Sequence, residues 1–182
     1  ELTVRDLLTH RSGLGLGSGD LMLFPPSDFT RDEIIHNLRY FPPASSFRSK
    51  FAYDNLLYIV AGELVRAKTG MSWETFVQTK ILDRLGTGCA ATVSLVSGRN
   101  MAIPHVMVGD KLTVVTPDPS TAYDPAGSIQ CNANGMAVWA ELQLAGGKFK
   151  DGSALFSAAQ HKEMWTPQTI IAPLPDTAAL TQ

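Results

Sequence analysis

The sequence predicts a mainly helical fold with a small β component, on three observations. Apolar residues recur at helical spacing between Tyr53 and Lys68. Side chains able to cap a helix stand at the head of several other apolar stretches. Runs rich in Val and Thr are confined to the stretch after Leu85.

The first helix is expected at Thr3, which can cap it with Asp6 three residues later; Val4, Leu7 and Leu8 form its apolar stripe, and Gly13 is placed to stop it in a left-handed conformation. Leu14 to Ser27, rich in Gly, Ser and Pro, reads as a loop. Thr30 with Glu33 forms a second capping box ahead of Ile34, Ile35 and Leu38, and Pro42-Pro43 ends that helix. The strongest pattern is Leu56, Leu57, Val60, Ala61, Leu64 and Val65, with Gly70 as its C-terminal cap. Ser72 then caps a helix that buries Trp73, Phe76, Val77 and Ile81 and ends before Gly86, so the two should form an antiparallel pair. Ala91 to Val96 and Ile103 to Val115, around Gly109-Asp110, read as a small hairpin or extended arm. Thr116 to Pro125 carries three prolines and reads as a surface crossing. Asn132 or Asn134 caps a helix through Met136, Trp139 and Leu142, ended by Gly146-Gly147. Ser157 with Gln160 caps a last short one through Met164 and Trp165. Trp73 and Trp165 are both expected in the core.

Composition narrows the function. Hydrophobic residues at 45% and charged residues at 18% exclude disorder for the body of the chain. A net charge of -2 leaves no basic field for a phosphate backbone, so no nucleic-acid partner is expected. The longest apolar stretch, Leu56 to Gly62, falls far short of the roughly 20 residues that span a bilayer, so no transmembrane segment is expected. Cys89 and Cys131 lack zinc-site spacing; whether they pair is left open. His10, His36, His105 and His161 are scattered with no i,i+4 pair, so no metal and no cofactor are expected. The chain enters a helix at its first residues and stops without a cap, and therefore reads as a piece of a longer protein, with residues 168–182 a flexible end.

The search for a nucleophile is informative. G-x-S-x-G and H-E-x-x-H are absent, and so is S-x-x-K, which puts a hydroxyl and an amine on one helical face: every residue three before a Lys is Phe, Val, Ala or Gly. What remains is Tyr53-Asp54-Asn55 at the head of the strongest helix. Taken alone, Tyr53 reads as a half-buried aromatic and Asn55 as an N-cap.

Three ordered segments change that weighting. Leu7-Leu8-Thr9-His10-Arg11-Ser12-Gly13-Leu14, then Phe51-Ala52-Tyr53-Asp54-Asn55 with the helix behind it, then Pro125-Ala126-Gly127-Ser128-Ile129 followed by Asn134-Gly135-Met136-Ala137 resemble segments of the serine hydrolases related to class C β-lactamases and penicillin-binding proteins. The resemblance runs from about Thr3 to Pro167. It implies that the chain is the helical domain of a β-lactamase/transpeptidase-like α/β fold. The nucleophilic Ser and its Lys would lie upstream, and a KTG or HxG strand downstream. It makes Tyr53 the base or proton relay and Asn55 the amide that holds the lysine and the substrate carbonyl. The partners implied are a small-molecule or peptide substrate and the remaining segments of the same protein, and the setting is periplasmic or secreted. Asp54 stands where the β-lactamases carry Ser or Ala, which favours an esterase or peptidase. The isolated chain would be inactive. The alternative is a non-catalytic descendant that binds peptides or cell-wall fragments, or acts as a sensor. Lys68-Thr69-Gly70 spells KTG but sits at a helix end, where a base and a Gly cap are expected anyway. His10-Arg11-Ser12 is expected to shape a loop.

Overall fold

The computed structural model describes residues 1–96, 101–116 and 118–172. Eight helices and one hairpin follow in the order α1 (Val4–Leu8), α2 (Arg31–Asn37), α3 (Leu56–Thr69), α4 (Trp73–Val77), α5 (Asp83–Leu85), β1 (His105–Val108), β2 (Lys111–Val114), α6 (Asp124–Gly127), α7 (Ala133–Leu144) and α8 (Ala158–Met164). The prediction of a mainly helical chain with a small β component holds for these residues. Of the end expected at 168–182, residues 173–182 lie outside the described residues. Gln168 and Thr169 are tied to the body, the former through its carbonyl to Arg11 and the latter through its hydroxyl to the Thr9 carbonyl.

Local chemistry sets the helix starts. Thr3/Asp6 and Thr30/Glu33 both close complete capping boxes, and Ser72, Asn132 and Ser157 each accept a backbone N–H of the first turn. Gly70 at φ 71 closes α3. The α4 helix runs on through a π-helical turn, Gln78–Leu82, into α5, which Gly86 stops at φ 62. The Gln78 side chain bridges the end of that turn to the segment beyond it, its amide donating to Asp83 Oδ1 at 2.6 Å. The same amide donates to the Cys89 carbonyl, and the Gln78 Oε1 accepts the Ala91 N–H at 2.9 Å.

Helix α3 is the hub, packed by α1, α2, α4 and α6. One core cluster joins Met22, Leu23, Ile34, Leu56 and Ile59; a second joins Val77, Leu82, Cys89 and Ala91. Helix α6 approaches α3 so closely that a Cβ on Gly62 would stand 2.4 Å from Pro125 Cγ, so only glycine fits there. At the N-terminal residue of α2, the Arg31 guanidinium bonds Glu63 of α3 at 3.3 Å, Glu74 of α4 at 2.5 Å, and the carbonyls of Thr121 and Ala122. Under α1, the wholly buried Asp6 carboxylate takes Arg11 at 2.9 Å and Arg48 at 2.8 Å. The Arg48 bond is the largest of the influences that hold it far below the usual carboxylate range.

Four expectations are corrected. Helix α1 ends at Thr9, four residues before Gly13, because His10 itself takes the left-handed turn at φ 54. Ala91 to Val96 is not a strand. Ala90 makes an isolated bridge with Gln130, and Val93–Leu95 closes a 3-10 turn; Ala91 and Thr92 are buried, and no strand among the described residues pairs with them. Only 105–114 forms the hairpin, in the register His105 with Val114 through Val108 with Lys111. Trp165 is not core. It is 67% exposed at the end of α8, where its indole N–H reaches Gln143 instead of an apolar neighbour. The open question about the cysteines closes as a disulfide between Cys89 and Cys131, beside the Ala90–Gln130 bridge.

Candidate active site

The segment 51–55 enters α3 along the loop that follows α1. His10 holds it twice: its carbonyl accepts the Ala52 N–H at 2.9 Å and its Nδ1 accepts the Asp54 N–H at 3.2 Å. On the other side the Gly17 N–H donates to the Tyr53 carbonyl at 2.9 Å. With the backbone pinned on both sides, the Tyr53 ring stacks on the His10 imidazole at 4.5 Å between centroids, and Tyr53 stays 45% exposed. The same imidazole stacks on Tyr58 at 5.2 Å and meets the edge of Phe51 at 5.5 Å. Tyr58, one turn into α3, is fixed by its hydroxyl donating to the Leu8 carbonyl. The Tyr53 hydroxyl makes no hydrogen bond among the described residues.

Asn55 occupies the N-cap position of α3 but does not cap with its side chain. The neighbouring Asp54 does so, its Oδ1 accepting the Leu56 N–H at 2.8 Å. Asn55 Nδ2 instead donates to Asp20 Oδ1 at 3.1 Å, from the short 3-10 turn Asp20–Met22. One amide hydrogen is thereby spent, while Oδ1 and the second hydrogen remain available.

Asp54 is the electrostatic surprise of the site. It is wholly buried, and its Oδ2 has no partner among the described residues. Burial pushes its pKa up to about 6, against the opposing pull of the Leu56 and Leu57 amides and with a further push from the Asp20 carboxylate. The folded value lies above the unfolded one, so this group favours folding most below about pH 4, and the contribution is lost as pH rises through about 6. Asp54→Asn should abolish that dependence. Its stability relative to wild type, from urea titrations, is expected to be about 2 kcal/mol more favourable at pH 7 than at pH 4. Equal differences at the two pH values would contradict a carboxylate raised by burial.

Elsewhere the signals resolve into structure. Ser12 Oγ accepts the Leu14 N–H and Arg11 binds Asp6, so this triplet shapes its loop as expected. Lys68-Thr69-Gly70 is the left-handed end of α3, about 20 Å along the helix from the Tyr53 motif. Among the described residues no three His, Cys, Asp or Glu side chains converge as a metal would require. Five clefts on the described surface are lined by residues other than Tyr53 and Asn55. Sequence reasoning singled out Tyr53 and Asn55 but not the contacts that His10 and Asp20 make with this segment, nor the burial of Asp54. His10 lies 43 positions from Tyr53 with no periodic link to it. Only its place in the first resembling segment hinted at the contact.

The family model described as Beta-lactamase matches residues 1–175. An unguisins hydrolase of Aspergillus campestris is 27% identical over 179 residues, covering 93% of this chain and 32% of that protein. A D-stereospecific amidohydrolase from Streptomyces sp. superposes with a TM-score of 0.73 at 17% identity, covering 91% of this chain and 51% of that one. The octameric penicillin-binding protein homologue from Pyrococcus abyssi gives a TM-score of 0.71 at 20% identity, covering 91% and 38%. The chain therefore spans about a third of its fungal relative and at most about half of these two structural neighbours.

Proposed function

Because the chain belongs to the beta-lactamase family, we propose that it is the helical part of a serine hydrolase that cleaves an amide or ester through an acyl-enzyme. Tyr53 serves as the base, and Asn55 holds the catalytic lysine and the substrate. The serine and lysine come from a stretch of polypeptide outside residues 1–182, since no S-x-x-K occurs within them. A strand of KTG or HxG type, also outside them, closes the site.

The chemistry runs as follows. A serine hydroxyl is a weak nucleophile until a base takes its proton. The lysine ammonium beside the Tyr53 oxygen favours negative charge there. The serine oxygen attacks the carbonyl and its proton passes to Tyr53. The tetrahedral oxyanion is held by backbone amides, and the C–N or C–O bond breaks as Tyr53 returns the proton to the leaving group. Water then gives its proton to Tyr53 and attacks the acyl ester; the bond to the serine oxygen breaks as Tyr53 returns the proton to that oxygen, and the acid is released. Asn55 keeps its Oδ1 free for the ammonium because Asp20 takes one of its amide hydrogens.

One observation carries the reading: an exposed tyrosine at the head of α3, its hydroxyl without a hydrogen bond among the described residues, beside an amide anchored from behind. The name of the Streptomyces neighbour, an amidohydrolase, supports an amide as the scissile group, and Asp54 in the motif supports a peptidase or esterase over a β-lactamase. The full-length protein should react with a fluorescent fluorophosphonate. Tyr53→Phe should slow that labelling and the hydrolysis of a p-nitrophenyl ester by a factor of about 10². Undiminished labelling of the Phe variant would remove Tyr53 from the reaction.

A further inference from the structure

Among the described residues the His10 imidazole is the ring that stacks on Tyr53, and three further contacts fix it. Its Nδ1 accepts the Asp54 N–H at 3.2 Å, so that nitrogen carries no proton and the ring is neutral with hydrogen on Nε2. A second aromatic face, Tyr58, stacks on it at 5.2 Å with 23° between planes, and Tyr58 is itself held by the Leu8 carbonyl. Phe51 meets its edge. The backbone is committed as well: His10 sits at φ 54, a left-handed conformation for a residue with a Cβ, and its carbonyl accepts the Ala52 N–H. Removing that carbonyl bond or the turn would move the ring out from under the phenol.

We propose that His10 is a positioning residue for the hydrolase, its neutral ring setting the plane and height of the Tyr53 phenol from which the proton leaves and to which it returns. The inference rests on the assignment of Tyr53 as base. The imidazole touches no substrate and exchanges no proton. It acts only through the orientation of Tyr53, and small errors in that orientation are costly to a proton transfer.

Two variants split the ring from the acceptor. His10→Phe keeps a flat ring for the stack and leaves the Asp54 N–H without its acceptor. His10→Asn keeps a short side-chain acceptor and removes the ring. In the full-length protein, with p-nitrophenyl ester hydrolysis and thermal melting both read, His10→Phe should melt lower yet hold kcat within about threefold of wild type. His10→Asn should melt closer to wild type while kcat falls about tenfold or more at nearly constant KM. If kcat instead follows melting temperature across the two variants, or both keep wild-type kcat, His10 is a structural residue only and the proposal fails. Tyr53→Phe in the same assay separates the two layers. If it keeps full kcat, the assignment of the base fails. If it is inactive while both His10 variants are fully active, the positioning role alone fails.

Discussion

Arg31→Ala should lower the stability of the protein by about 3–5 kcal/mol, the range for removing one partner of a buried ionic cluster. The guanidinium is 14% exposed, and Glu63 and Glu74 are 15% and 14% exposed. Without Arg31, Glu74 loses its cation in a poorly solvated place, while Glu63 keeps Arg66 alone. The carbonyls of Thr121 and Ala122 lose a donor at the same time. Burial is the largest influence on Glu74 and would raise its pKa; the Arg31 hydrogen bond and charge, with the Glu74 amide and Ser72, together outweigh it and hold the group below its usual value. The loss should therefore shrink as pH falls, once the Glu74 carboxylate can take a proton. Arg31→Lys should recover only part of it, because an ammonium cannot serve four acceptors spread around a planar fork. Urea midpoints for both variants at two pH values test this. A loss under 1 kcal/mol for the Ala variant would mean that α2, α3 and α4 are held by their apolar contacts alone.

Opening the Cys89–Cys131 disulfide should cost a similar amount. The bond closes a loop across a separation of 42 residues, for which the chain-entropy argument gives about 4 kcal/mol. The Cys89 side chain is also buried in the second core cluster, and Gly135 approaches its sulfur so closely that a Cβ there would stand 2.5 Å away. Cys131→Ser should thus lower the urea midpoint, and a thiol reductant should lower it for wild type while leaving the variant unchanged. A wild-type midpoint indifferent to complete reduction would show that the Ala90–Gln130 bridge and the Gln78 side chain hold this corner unaided.

What could be read in advance divides by range. Thr3 with Asp6, Thr30 with Glu33, Asn132 and Ser157 announce their helices because a cap needs only residues three apart. Gly70 and Gly86 announce two ends for the same reason. Asp6 reads from the sequence as half of a capping box. Its second role, binding Arg11 and Arg48, requires the 47–49 turn to fold back over α1, and nothing near Asp6 encodes that. Ala91 to Val96 carries β-branched residues but no strand to pair with, so context overrides propensity. At the candidate site Tyr53 and Asn55 stood out by resemblance. Asp54 was noted only as a departure from type, because its burial comes from tertiary packing. Asp20 was hidden inside a glycine-rich loop whose short 3-10 turn no pattern marks.

The β1–β2 arm has a practical use. Seven of its eight strand residues are exposed, and its tip is Gly109 at φ 60, with open space where a Cβ would stand. A fluorescent reporter or an affinity peptide spliced between Gly109 and Asp110 would disturb neither core cluster, because these are built from residues 22–91 with partly buried additions from 122–126. That turn is a natural handle for capturing the protein or following it in cells.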